Sequence, residues 1–248
     1  MKILIPLPDK DFDTTEVAIP WYVFTRAGHE VVFATEHADV AACDPKLLEG
    51  VIFGQLGASA EACQRYAEMV ESPAFRAPIA WRQIVPEEYA AWLLPGGHAK
   101  GVRQYLDSEL LQQQVAAFAR LGRPIAAICH GVLLLARARD ADGERSLLAG
   151  RRATCLPRYL ERSAFYLTAW RLGRYYRTYP EYTEDEVRQA IGRLGHFERG
   201  PIQFIAQGSE QDDSAAFVVE DQELITARWP GDVWLLAKTL VRRLEARS

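Results

Sequence analysis

Cys129 and His130 stand side by side in an apolar stretch running from Pro124 to Ala136. Residues 125–128 read as a short buried strand, and the apolar run after Gly131 reads as a buried helix. A reactive side chain on a tight strand-to-helix turn is the logic of a nucleophile elbow. The following helix aims its amide groups and the positive end of its dipole at that side chain. A thiol in such a setting is expected to ionise more easily than free cysteine, at a pKa of roughly 3.5–7.5 rather than about 8.5. The competing reading of Cys129 is a small buried side chain that packs as a hydrophobe.

The elements around this turn alternate. Residues 2–7 form an apolar first strand. Asp13 offers an N-cap with Glu16 in the reciprocal capping-box position, and Val17, Trp21 and Phe24 share one face of the helix that follows. Pro20 should kink that helix, and Gly28 should end it. A strand is expected over residues 30–35, a helix over 58–70, and a buried strand over 88–94 that ends in Gly96-Gly97-His98. An amphipathic helix carrying Leu111, Val115 and Phe118 leads into the Cys129 turn. After a possible strand over 151–156 the rhythm breaks, and Thr183 with Glu186 suggests a capping box within residues 157–201. A hairpin over 215–226 and a helix over 233–244 close the chain, with Asp232 as its N-cap. This alternation predicts a flavodoxin-like, doubly wound α/β/α sandwich with a mainly parallel sheet, and a helical insertion after the elbow helix. We read residues 1–248 as a single domain.

The insertion, residues 157–201, holds six of the chain's ten tyrosines. Between residues 151 and 177 there are seven arginines against Glu161 alone, so the segment is either an ordinary helical surface or a cationic lid over the active end of the sheet. Composition narrows the class further. At 248 residues and 49% hydrophobic, the chain can bury a full core. A net charge of −4 argues against a general nucleic-acid binder, no apolar run is long enough to span a bilayer, and the start is too short for a signal segment. The four cysteines form no CxxC pair and no metal-type cluster with the five histidines, so free thiols in a reducing cytoplasm are expected.

Three sets of residues together resemble the ThiJ/PfpI superfamily, relatives of class I glutamine amidotransferases. They are Asp13-Thr14-Thr15-Glu16 with Gly28-His29-Glu30-Val31, Leu94-Pro95-Gly96-Gly97-His98, and Ala127-Ile128-Cys129-His130-Gly131. Leu224-Ile225-Thr226-Ala227-Arg228 followed by Pro230-Gly231-Asp232 fits the same pattern. The resemblance implies Cys129 as nucleophile, Glu16 as a protonated acid bonded to the thiolate, and Gly97 with the His130 amide as an oxyanion hole. It also implies His130 as a base oriented by an acid. One branch keeps that acid directly after a Leu-Pro step, where this chain has Leu156-Pro157-Arg158. Glu161, Asp232 or an acid from a partner subunit are the substitutes, and Arg158, Tyr179 and His196 are candidates for lining a substrate pocket.

The resemblance supports a cofactor-free and metal-free enzyme attacking a small carbonyl or amide compound, by glyoxalase III-like hydration of an oxoaldehyde or by hydrolysis. A homodimer is usual for such relatives. Two alternatives remain: a thiol redox sensor or stress protein, and a binding protein that retains the fold without its chemistry.

Overall fold

The computed structural model describes residues 1–51, 57–204 and 207–247. The first part of the chain contains β1 (Lys2–Pro6), β2 (Lys10–Phe12), α1 (Thr14–Arg26), β3 (Glu30–Thr35), β4 (Ala42–Cys43), α2 (Pro45–Glu49), α3 (Ala60–Val70), α4 (Pro73–Arg76), β5 (Ile79–Ala80) and β6 (Ala91–Leu94). There follow α5 (Arg103–Leu106), α6 (Glu109–Ala119), β7 (Ile125–Ile128), α7 (Val132–Arg137) and β8 (Arg152–Ala153). The last part holds α8 (Arg158–Leu172), α9 (Thr183–Ile191), β9 (His196–Phe197), β10 (Val218–Asp221), β11 (Leu224–Ala227) and α10 (Val233–Glu245).

The central sheet runs β10-β11-β7-β6-β1-β3-β5 and is parallel except for β10, which pairs antiparallel with β11. The expected mainly parallel, doubly wound sheet is therefore present. Its strands are buried on both faces and divide their side chains by the two-residue period. Ile3, Ile5, Leu93, Ala126 and Ile128 pack with Val17, Phe24 and Trp234 on the α1/α10 side. Leu4, Trp92, Leu94, Ile125 and Ala127 pack with Phe118, Leu133 and Val187 on the other. The chain lays β3 and β5 on one side of β1 and then reverses to lay β6, β7 and β11 on the other. Crevices for ligands form at such a reversal, beyond the carboxyl ends of the strands.

Helix α1 spans Thr14 to Arg26 with Pro20 inside it, so Pro20 does not end the helix. Several expectations for the later elements need correction. Residues 151–156 do not join the main sheet: only Arg152–Ala153 is a strand, paired parallel with His196–Phe197 in a separate two-stranded sheet. Thr183 is not a cap, because α9 is preceded by Tyr182 with no side-chain cap of its own.

Instead, α8 and α9 cap each other. Glu161 on α8 accepts a bond from the Thr183 amide at 2.9 Å, and Glu184 on α9 accepts one from the Arg158 amide at 2.9 Å. Each carboxylate satisfies an orphan donor at the positive end of the opposite helix. This exchange fixes the insertion as a helix pair.

Asp232 stands at the N-cap position of α10, but its side chain makes no cap bond to that helix. Its two oxygens take Arg228 Nε and Nη2, each at 2.8 Å, together with the amides of Arg228 and Phe217. Arg228 is wholly buried and its remaining nitrogen donates to the Pro201 carbonyl at 2.6 Å. The pair thus ties the end of β11 to the chain leaving the insertion. Removing one partner of a buried pair strands the other charge at a cost of about 3–5 kcal/mol. Asp232→Ala should therefore lower unfolding free energy by about 3–5 kcal/mol in urea titrations. A loss below about 1 kcal/mol, the range of exposed pairs, would contradict the tie.

Candidate active site

Three loops converge at the carboxyl end of the sheet. The first follows β7, where Cys129–Gly131 form a single 3-10 turn before α7. Cys129 adopts φ = 57°, left-handed backbone that a non-glycine residue holds only under constraint, at a cost of order 1–3 kcal/mol. The constraint is visible at Gly131, where an added Cβ would come within 2.2 Å of the Leu94 carbonyl oxygen and 2.5 Å of the Pro95 one. The elbow is pressed against the end of β6, and only glycine permits that approach.

The second loop is Pro95-Gly96-Gly97-His98, leaving β6. A Cβ on Gly96 would lie 2.8 Å from the His130 amide nitrogen, 3.0 Å from Cys129 Cβ and 3.1 Å from Glu16 Oε2. One on Gly97 would strike the Asp11 carbonyl oxygen and Val102, each at 2.6 Å. Both glycines are thus demanded by close packing. Gly96 also keeps the space before the His130 amide clear.

The third contributor is the first turn of α1. Asp13 caps it, accepting bonds from the Thr15 and Glu16 amides at 2.8 and 3.1 Å. Glu16 is wholly buried and does not reach back to Asp13 as a capping box would. Its Oε2 accepts the Gly96 N–H at 2.8 Å, and its carboxyl also interacts with the Cys129 thiol. Burial without a countercharge, with Asp13 and Asp232 adding repulsion, raises its pKa well above the ordinary carboxyl range. Asp13 is itself raised to about 6 by burial.

The thiol does not follow the sequence expectation of easy ionisation. Cys129 is 1% exposed, and burial pushes its pKa well up, as does any negative charge on Glu16 or Asp13. The His130 N–H works in the opposite direction by bonding the sulfur. The elbow's dipole is present, but desolvation outweighs it.

His130 Nδ1 lies 3.6 Å from Cys129 Sγ. Its ring meets that of His98 edge to face at 4.9 Å between centroids, and His98 meets Tyr176 at 6.0 Å. Burial holds His130 far below its usual pKa and His98 down to about 4, so both rings are neutral near pH 7. The Nε2 atoms of both histidines are buried without a hydrogen-bond partner. Ligand atoms of His98, Cys129 and His130 lie within 4.8 Å of one another, a set with the right chemistry to hold a metal ion. Spacing in the sequence concealed this cluster, because 31 residues separate His98 from Cys129.

The substitute acids are engaged elsewhere. Glu161 accepts Arg177 Nη1 at 3.0 Å and the Thr183 amide, while Asp232 holds Arg228. Neither bonds His130. The proposed pocket residues also lie apart. Arg158 pairs with Asp185 at 3.3 Å, Tyr179 bonds Asp107 at 2.5 Å and Arg137 at 3.0 Å, and His196 sits exposed on β9.

A cavity of about 360 Å³ adjoins the elbow at His98, which lines it and packs on His130, while Cys129 and His130 are not among its described walls. Asp13, Thr15, His98 and Tyr176 line it from the sheet side, and Leu160, Ala164 and Leu167 of α8 cover it. Trp229 and Pro230 continue β11, whose Ala227 pairs with Ile128 beside the elbow. The insertion therefore does cover the active end of the sheet. Sequence reading missed Gly96, His98 and Asp13 as parts of this site. The Gly-Gly-His run and the Asp13 cap were the signals available.

A ThiJ/PfpI family-like model matches residues 7–188. A Schizosaccharomyces pombe protein described as uncharacterised is 28% identical over 97% of this chain and 82% of its own length. A Pyrococcus abyssi deglycase is 29% identical over 63% of this chain and 73% of its own. Among solved structures, glyoxalase III from Candida albicans superposes with a TM-score of 0.69 at 19% identity, covering 98% of this chain and 97% of that one. The family match extends from just after β1 into α9, and the chain belongs to the ThiJ/PfpI family.

Proposed function

We propose that the protein is a cofactor-free enzyme that attacks carbonyl compounds through Cys129. The observation that carries this reading is the strained Cys129, bracketed by a buried Glu16 carboxyl and a neutral His130 ring. Strain of this kind on a non-glycine residue persists where surrounding structure enforces it, and it clusters at sites of chemistry. The deglycase and glyoxalase III relatives support carbonyl chemistry as its direction.

Cys129 starts as a thiol. As its sulfur bonds to the carbonyl carbon, the carbonyl π pair moves to oxygen and the thiol proton passes to His130 Nδ1, 3.6 Å away at rest. Glu16, whose protonated form burial favours, then adds no negative charge against the developing sulfur and donates a hydrogen bond to it. The new alkoxide faces the His130 and Gly97 amides, with Gly96 leaving that approach open.

For an oxoaldehyde, His130 returns its proton to the alkoxide to complete the hemithioacetal. The ring, neutral again, then moves the proton from the former aldehyde carbon to its neighbour, leaving a 2-hydroxy thioester on Cys129. Water then releases a hydroxy acid. For an amide or ester, the same tetrahedral adduct expels the amine or alcohol, which takes the proton from His130, and water cleaves the acyl-enzyme. The oxoaldehyde route is preferred because His130 Nε2 lacks an orienting acid, which the Cys-His-acid hydrolytic arrangement uses. A redox-sensing role asks for an accessible, low-pKa thiolate, and Cys129 is neither.

Purified protein should consume methylglyoxal with formation of lactate, and Cys129→Ser should lose at least about a thousandfold in kcat/KM, the scale of removing a nucleophile. Unchanged turnover in that variant would end the proposal. The role of Glu16 can be read separately from the pH dependence of Cys129 alkylation. If Glu16 is the protonated donor, Glu16→Leu removes a hydrogen bond to a charged group worth about 1.5–3 kcal/mol. The alkylation midpoint should then rise by about 1–2 pH units. A fall in the midpoint would mean that Glu16 is ionised and opposes the thiolate.

A further inference from the structure

The cavity beside the elbow does not match the smallest oxoaldehydes. At about 360 Å³ it falls among pockets that enclose drug-sized ligands, roughly 300–1,000 Å³, and far exceeds the volume of a three-carbon dicarbonyl. Its described walls are predominantly apolar, with Leu47, Val51, Leu156, Leu160, Leu167 and Trp229 among them. They include no lysine or arginine. Asp13 is the one acid among them.

The arginine-rich segment over the site does not supply the missing cations. Arg158 pairs with Asp185, Arg177 with Glu161 and Arg152 with Glu198, while Arg151 reaches Glu223. Arg162 lies over the Tyr166 ring and is not among the cavity's described walls, lining instead a more open neighbouring groove with Tyr166, Leu167 and Phe204. That groove and the cavity share Ser163, Leu167 and Phe204, so the apolar surface continues outward from the elbow.

We infer that the site selects a neutral 2-oxoaldehyde bearing an aromatic or branched apolar substituent, seated between α8 and the Trp229–Pro230 turn, and discriminates against 2-oxoaldehydes whose substituent is anionic. This rests on the reading of Cys129 as the carbonyl-attacking nucleophile. The carbonyl end would meet the elbow beside His98, whose ring lines the cavity on one side and packs on His130 on the other. The substituent would fill the volume under Leu160 and Ala164. An anion there would be desolvated with no cation among the described walls and would face Asp13, so binding would carry an uncompensated cost. A filled apolar pocket, in contrast, gains with each buried carbon, a single methylene being worth about 10–200-fold in specificity.

The test compares phenylglyoxal, methylglyoxal and the anionic 4-carboxyphenylglyoxal as substrates of the wild-type chain, with Cys129→Ser as the blank for non-enzymatic loss. Binding of benzamide against acetamide to Cys129→Ser, followed by calorimetry, reads the cavity without chemistry. Phenylglyoxal should exceed methylglyoxal in kcat/KM by at least about tenfold, and should exceed 4-carboxyphenylglyoxal by a similar factor. Benzamide should bind at least about tenfold more tightly than acetamide. Ala164→Trp, which fills the cavity from α8, should cut the phenylglyoxal-to-methylglyoxal and benzamide-to-acetamide ratios by about tenfold or more. If methylglyoxal is turned over but phenylglyoxal is not preferred, the specificity inference falls while the carbonyl chemistry stands. If no carbonyl is turned over yet benzamide is favoured and Ala164→Trp abolishes the preference, the chemistry falls and the pocket assignment stands. Equal binding of the two amides overturns the pocket assignment.

Discussion

A carboxyl group buried beside a thiol with no cation to balance it is the interaction on which the site depends. Glu16 is anchored by one hydrogen bond, from the Gly96 amide, and its other oxygen is left facing the elbow. An ionised carboxylate in that position would carry a large desolvation cost and would repel a thiolate as well. Protonation removes both penalties at once. A hydroxyl held beside Cys129 then gives the sulfur a donor at the moment it becomes negative. Much of the local architecture serves this arrangement. Asp13 fixes the start of α1, Gly96 supplies the anchoring amide, and Gly131 lets the elbow press down on the end of β6.

The same logic explains why the thiol is not a preformed thiolate. The elbow gives Cys129 a backbone donor and a helix end, yet burial removes the water that would otherwise stabilise a charge. In the proposed reaction the thiol gives up its proton to His130 only as the sulfur's electrons enter a bond to the carbonyl carbon, so the charge comes to rest on oxygen. A neutral His130, kept so by burial and by the neighbouring His98, suits that task better than an imidazolium would. Restrained reactivity of this kind also protects the cysteine from indiscriminate oxidation.

The fold was legible because strand alternation, the Asp13 cap and the Leu111-Val115-Phe118 stripe are local signals. Cys129 stood out as a candidate because packing does not require a Cys-His-Gly turn between two apolar runs, although a buried cysteine could also pack there as a hydrophobe. What escaped the sequence was partner choice across long separations. Glu161 and Asp232 looked like free acids near the site, but Arg177, the Thr183 amide and Arg228 claim them. The arginine excess between residues 151 and 177 looked like a cationic lid because its partners Asp185, Glu198 and Glu223 lie outside that window. Glu16 looked like a capping-box residue, since the bond that redirects it comes from Gly96, 80 positions away. His98 was visible as one letter of a glycine-rich loop, and only the folded sheet brings its ring against His130.

The protonation state of Glu16 is the most direct measure of this account. Selective carbon-13 labelling of glutamate side chains, with Glu16→Gln to assign the signal, follows that carboxyl through a pH titration. The account requires the Glu16 resonance to remain at the protonated position through neutral pH, well past the ordinary glutamate value of about 4.3. A carboxylate signal at neutral pH, with a midpoint near that ordinary value, would contradict it.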